Sequence, residues 1–191
     1  MIALRKPSTK VIGDFRSSQA GLDFSYAAVG ATAAVPPSGY VVDRTRIQLG
    51  SGEQVFKAAR LAFERWEQFR LGWVEAAPTD LPIRPGEVIA VVAQVFGVWV
   101  LNACRVVYAV DEAGPICRFG FAYGTLPDHA ESGEERFLIE WNRADDSVWY
   151  DILAFSRPRH PLARLGYPLT RRFQRRFARD SGAAMKRATS I

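Results

Sequence analysis

The stretch Leu126-Pro-Asp-His-Ala-Glu-Ser-Gly-Glu-Glu135 concentrates titratable side chains in a chain otherwise rich in apolar runs. His129 stands there beside Asp128, Glu131, Glu134 and Glu135. An imidazole next to a carboxylate can move a proton at neutral pH, so His129 with Glu134 or Glu135 is the candidate acid–base pair. The plain alternative is a loop histidine among solvated carboxylates, with Gly133-Glu134-Glu135 merely launching the next strand. A metal site is not expected. The spacing fits no zinc pattern, and His160 is the second of only two histidines.

A second set of polar residues is scattered over apolar segments. Arg105 alternates with Ala103, Val107 and Ala109 on one face of a strand, where an arginine among small residues can enter a cavity and pair a carboxylate. Asp180, Glu140 and Asp151 are its candidate partners; an outward arginine on a wet face is the alternative. Tyr108, Tyr123 and Tyr150 add hydroxyls to apolar strands, and Asp151 sits in Val148–Phe155, which is largely apolar on both faces. Asp180 falls among the apolar residues of a terminal helix, with Ser181 at their edge, and a carboxylate facing a core is costly unless paired. Arg105, Tyr108, Tyr123, Asp151, Asp180 and Ser181 therefore form the candidate ligand-binding set of an apolar pocket with a few polar points. An ordinary core with satisfied tyrosines is the competing description. No cofactor is expected: Gly50-Ser-Gly52 before a helix is too short for a phosphate loop and lacks its lysine. A G-x-S-x-G elbow is also missing.

The elements that must position these groups follow from periodicity. Tyr167-Pro168 favours a helix start, and a turn over Pro161–Gly166 followed by one long helix from Pro168 to Arg187 is predicted. Leu169, Phe173, Phe177 and Ala184 share one face of it; Arg171, Arg172, Arg175, Arg179 and Lys186 lie opposite. Ser51-Gly-Glu-Gln54 reads as a capping box for an earlier helix carrying Val55, Ala59, Ala62, Trp66 and Phe69, stopped at Gly72. Tyr40–Leu49 reads as a strand before it. Beyond it the period changes to two, giving strands Trp73–Ala77, Glu87–Phe96, Val98–Val110, Ile116–Thr125, Glu134–Trp141 and Val148–Ser156. Their short connections imply an antiparallel meander. The expected fold is α+β: a curved antiparallel sheet of about seven strands wrapped around the long C-terminal helix. Residues 1–39 are expected as a leader packed on the body through Leu22, Phe24 and Tyr26, with Pro7-Ser8 capping a short helix through Phe15. Residues 40–191 are expected as one domain.

Charge and composition bound the partners. The net charge of +5 is uneven, for nine basic residues and one acid lie between Pro158 and Ile191. That basic helix face suits peripheral contact with anionic lipid. No recognition motif accompanies it, which argues against nucleic acid. No apolar run is long enough to span a bilayer, no secretory signal opens the sequence, and Cys104 and Cys117 read as buried thiols, so a cytoplasmic location is expected. Val88–Phe96 with Trp99 is apolar on both faces, so either the leader or a second copy in a homodimer must cover it.

The order strand, helix, six strands, long helix resembles the helix-grip fold of START-like and Bet v 1-like (SRPBCC) proteins, which implies a ligand cavity between sheet and final helix. Local strings carry a closer resemblance. Gly39-Tyr-Val-Val-Asp43, Leu49-Gly-Ser-Gly-Glu53, Asn102-Ala-Cys-Arg-Val-Val-Tyr108, Phe119-Gly-Phe-Ala-Tyr-Gly-Thr-Leu126 and Gly133-Glu-Glu-Arg-Phe137 are similar to a family known as a domain of unknown function, DUF1990. Leu4-Arg-Lys-Pro-Ser8, Phe24-Ser-Tyr26, and Phe155-Ser-Arg-Pro158 through Phe177-Ala-Arg-Asp180 fit it as well, while Ala103 stands where a proline is expected. The family brings no activity with it. A cytosolic module binding an apolar or amphipathic small molecule or lipid is the leading expectation. The alternatives are a cyclase, dehydratase or hydrolase on the same scaffold, and an interaction protein using its basic helix.

Overall fold

The structure, a computed structural model, describes residues 1–159 and 167–190. The turn expected over Pro161–Gly166, and His160, lie outside the described residues. Three helices, α1 (Thr9–Gln19), α2 (Glu53–Glu64) and α3 (Tyr167–Ala188), accompany eight strands among the described residues. The strands are β1 (Ile2–Ala3), β2 (Val41–Ser51), β3 (Val74–Ala77), β4 (Val88–Val95), β5 (Val98–Glu112), β6 (Ile116–Thr125), β7 (Glu131–Asn142) and β8 (Ser147–Pro158). All pairings are antiparallel, in the order β2-β8-β7-β6-β5-β4-β3, with the short β1 added to β5. This is the expected helix-grip architecture, with β1 as an additional strand.

Alternation assigns the two faces of the sheet. Ile89, Cys104, Val106, Phe121, Phe137, Ile139, Tyr150 and Ile152 point inward and pack with Phe63, Trp66 and Phe69 into the main core. Met185 joins them from α3. On the outer face, Val88, Ala90, Val92, Leu101 and Leu126 pack under Ile12 and Phe15 of α1. The apolar second face of β4, which raised the idea of a homodimer, is thus covered from within the chain.

The helix boundaries differ from expectation for local reasons. The capping box does not form: Gly52 takes the N-cap with φ 93° and no side-chain cap, while its N–H donates to Asp146 O at 2.8 Å. Helix α2 ends before Trp66, not at Gly72. Trp66 adopts a left-handed φ of 56° and starts a 3-10 turn over Glu67–Phe69. The buried Trp66 indole donates to Leu81 O at 2.9 Å, and that tertiary bond favours the break over another helical turn. By contrast Ser8 does cap α1, accepting from Val11 N, and the helix runs on to Gln19.

Candidate functional site

Helix α3 packs directly on the sheet in its second half. Gly182 leaves room for Ile47, whose Cδ1 lies 2.7 Å from where a Cβ would stand. Ser181 Oγ and Tyr150 OH share a buried hydrogen bond of 2.8 Å, and Met185 is fully buried. Beside the first half, Thr170 to Ala178, a cavity of about 430 Å³ opens between helix and sheet. That volume suits a small organic molecule.

One side of the cavity is aromatic. Phe177 packs on Phe69 with ring centroids 5.3 Å apart, and Phe173 on Trp73 at 5.9 Å. The other side is carboxylic. Inward positions on β7 read Glu131, Gly133, Glu135 before the apolar Phe137 and Ile139. Tyr123, paired across from Glu135, donates its hydroxyl to Glu135 Oε2 at 2.7 Å. Among the described residues no other donor reaches that carboxyl. Gln174 Nε2 donates to Glu131 at 2.7 Å. Asp43 is paired by both terminal nitrogens of Arg171. His129 completes the lining, with Nδ1 accepting the Glu131 N–H at 3.0 Å.

Removal from bulk water sets the protonation of these groups. Burial pushes Glu135 from its ordinary 4.5 up to about 7; the Tyr123 hydrogen bond opposes this, while the charges of Glu131 and Asp43 add to it. Burial also raises Glu131, against the hydrogen bonds from Gln174 and Ser156. His129 is held down to about 4, mainly by burial, and is neutral at pH 7. The surface that Glu135 keeps faces the cavity. No three described His, Cys, Asp or Glu side chains converge closely enough to hold a metal ion.

A stability prediction follows from Glu135. The unfolded chain releases this proton near pH 4.5 and the folded one near pH 7, so the group favours folding fully below 4.5 and loses that contribution as pH rises to about 7. The displacement bounds the loss at roughly 3 kcal/mol. Glu135→Gln is expected to match the parent at pH 4 and to exceed it by up to that amount above pH 7. Urea unfolding at both pH values checks it; equal stabilities at pH 8 would refute the assignment.

Several residues expected in the pocket lie elsewhere. Arg105 is on the outer face, where it donates to Ala20 O at 2.7 Å and Leu22 O at 2.9 Å just beyond α1; it ties down the leader. Tyr108 also points outward. A bulge between Val106 and Tyr108 breaks the alternation, and the Tyr108 hydroxyl meets Thr32 Oγ1 at 2.8 Å. Asp151 is fully buried on the outer face between Arg44 at 2.8 Å and Arg136 at 2.9 Å. Asp180 accepts the Trp73 indole N–H at 3.0 Å and pairs with Arg176 and Arg179, which fastens the helix beside the cavity without lining it. Ser181 belongs to the helix–sheet contact with Tyr150. Arg171, expected on the wet face of α3, turns to Asp43.

Glu134 is corrected too. Adjacent residues on a strand face opposite ways, so Glu134 points outward while Glu135 points into the cavity. It is 2% exposed and accepts from Tyr26 OH at 2.6 Å, Gly30 N at 2.7 Å, Thr32 N at 2.9 Å and the Thr32 hydroxyl. A carboxylate saturated by four donors is an anchor for residues 26–32, not an acid–base group. Of the expected site residues, the structure brings His129, Glu135 and Tyr123 together around the cavity. Sequence reasoning named Glu131 only as a neighbour of His129, and missed Gln174 and Asp43. Thr170, Phe173, Gln174, Phe177, Ala178 and Ser181 form an i, i+3, i+4 stripe that would have placed Gln174 on the sheet-facing side.

Comparison with known proteins agrees with this architecture. Among curated relatives, a UPF0548 protein of Dictyostelium discoideum is 38% identical over 207 aligned residues, covering 98% of this chain and 95% of that one. A UPF0548 protein of Deinococcus radiodurans is 34% identical over 201, covering 98% of each. Among solved structures, a hypothetical protein of Helicobacter pylori aligns with a TM-score of 0.50 at 12% identity, covering 88% of this chain and 99% of that one, which is a likeness of fold. Human STARD10 aligns with a TM-score of 0.47 at 13% identity, covering 97% and 80%. The model of the family described as Domain of unknown function (DUF1990) matches residues 25–184, and the chain belongs to that family.

Proposed function

We propose that the protein binds a small amphipathic molecule in the cavity between the sheet and the first half of α3. The observation that carries this reading is the division of one 430 Å³ space into an aromatic side and a side bearing Glu131 and Glu135. A packed core does not leave such a volume unfilled beside two carboxyls withdrawn from bulk water, because voids and desolvated carboxyls each destabilise. The anchoring of α3 at Asp180–Trp73 and at Ser181–Tyr150, one turn beyond Phe177, supports a cavity that is preformed.

Ala154 provides the test. It faces the cavity directly across from Glu135 on β8. Ala154→Trp is expected to fill the space, abolish fluorescence enhancement of 1-aminoanthracene, and remove any small-molecule adduct seen by native mass spectrometry. The thermal transition should stay cooperative. Undiminished probe binding by a folded Ala154→Trp variant would refute the cavity as the site.

A second reading, acid–base catalysis at the same place, is favoured by one observation: the Glu135 carboxyl titrates near neutrality beside the Tyr123 hydroxyl and a neutral His129. Glu135 would then exchange the proton. Incubation of metabolite extract with parent and Glu135→Gln protein, read as gain or loss of water by mass spectrometry, tests it; identical product profiles count against catalysis.

A further inference from the structure

The charge balance of the cavity bears on the chemistry of its occupant. Of the four acidic residues around it, Glu134 has its carboxylate taken up by Tyr26, Gly30 and Thr32, which leaves Asp43, Glu131 and Glu135. The cations around it are largely committed. Arg171 pairs with Asp43, Arg44 with Asp151 on the outer face, and Arg175 stands exposed at the rim. Glu131 is served by the neutral Gln174, and Glu135 by the neutral Tyr123. One oxygen of Glu135 is left facing the space. A carboxyl withdrawn from bulk water with an open acceptor seeks a donor, and a charged donor serves it best. The dispersed carboxyls do not converge as metal ligands do. Across the space, Trp73, Phe173, Phe69 and Phe177 present ring surface that suits an apolar or aromatic body and tolerates a neighbouring cation.

Resting on the ligand-binding reading above, we infer that the occupant is an organic ammonium compound: a protonated primary or secondary amine held between Glu135 and Glu131, with an apolar, preferably aromatic body against the α3 side. The groups facing Glu135 are Tyr123 on β6, Cys104 on β5, Tyr150 on β8, Glu131 on its own strand, Asp43 with Arg171 across the cavity, and His129 from the β6–β7 turn. Burial raises the tyrosines and Cys104 and lowers His129, so none of these changes charge between pH 5.5 and about 8. Amine binding should therefore tighten as pH rises through about 7, where Glu135 gains its charge.

The test is displacement of 1-aminoanthracene from the intact chain at pH 8 by 2-phenylethylamine, 2-phenylethanol and 3-phenylpropionate, three bodies of similar size with different heads. The amine is expected to displace at roughly tenfold lower concentration than the alcohol, the worth of one charge-assisted hydrogen bond. The carboxylate should be weakest. Glu135→Gln should shrink the amine's advantage, and in the parent protein that advantage should fall between pH 8 and pH 5.5. A probe that binds but is displaced by the amine no better than by the alcohol, or not at all, overturns the ammonium inference and leaves the cavity reading standing. A probe that fails to bind the parent protein overturns the cavity reading itself. Should Glu135→Gln fail to fold, the pH dependence of the parent decides, and an amine preference flat in pH overturns the role of Glu135.

Discussion

Glu134→Ala is expected to destabilise the protein by roughly 3–5 kcal/mol and to free the leader from the sheet. The size follows from what the substitution abandons. Two backbone N–H groups, of Gly30 and Thr32, and two hydroxyls, of Tyr26 and Thr32, all end on this one carboxylate. Each loses its acceptor in a place that water does not reach, at a cost of about 1–3 kcal/mol apiece when unrelieved. Relief comes only by moving the leader. Thr32 gives its single proton to Glu134, so Tyr108 must be the donor in the Tyr108–Thr32 bond, and the loss propagates to β5. Tyr26 sits so close over Gly124 that a Cβ there would lie 2.1 Å from its hydroxyl, so the ring has no second seat nearby. Urea denaturation should show the shift, and limited proteolysis should cut between residues 20 and 40 in the variant before the parent. Glu134→Gln keeps the shape but sets an amide NH2 against a donor, and an intermediate loss is expected. An unchanged midpoint for the alanine variant would show that the anchor carries no weight.

The contrast between Glu134 and Glu135 also marks where sequence reading succeeded and where it stopped. The alternation of β6, β7 and β8 was legible because inward apolar or aromatic residues recur at every second position over much of each strand, and the long terminal helix was legible from Pro168 and its apolar stripe. The site was legible only in outline. Pro127 to Gly133 carries the composition of a loop, which hides the strand character of Glu131 and Gly133; in the structure β7 begins at Glu131 and pairs with Pro158. Tyr108 was misplaced because one bulged residue reverses every later side chain, and no local signal announces a bulge. Arg105 and Asp151 were misassigned because the leader and an arginine cluster make the outer face as dry at those points as the inner one. The Trp73–Asp180 bond joins positions 107 residues apart, a relation that periodicity cannot express.

Gly133→Ala is the second large effect expected, at roughly 3–4 kcal/mol, which exceeds most alanine substitutions because backbone must yield. A Cβ at this position would lie 1.9 Å from the Phe155 carbonyl oxygen and 2.8 Å from Ser156 Cα. Those atoms belong to β8, the strand that pairs with β7 on both sides of the contact. Neither can rotate away as a side chain would. The strands must part beside the cavity, and glycine there is a condition of their close pairing. Gly13, in the middle of α1 with nothing within 4 Å of its Cβ position, is the control: Gly13→Ala should stabilise by about 0.5–1 kcal/mol. Because Gly133 separates Glu131 from Glu135, parting β7 from β8 also displaces both carboxyls, so the surviving folded fraction of Gly133→Ala should bind 1-aminoanthracene weakly while Gly13→Ala binds it as the parent does. Matched unfolding curves for the two glycine variants would remove the close approach of β7 to β8 at Gly133 as a constraint on the sheet beside the cavity.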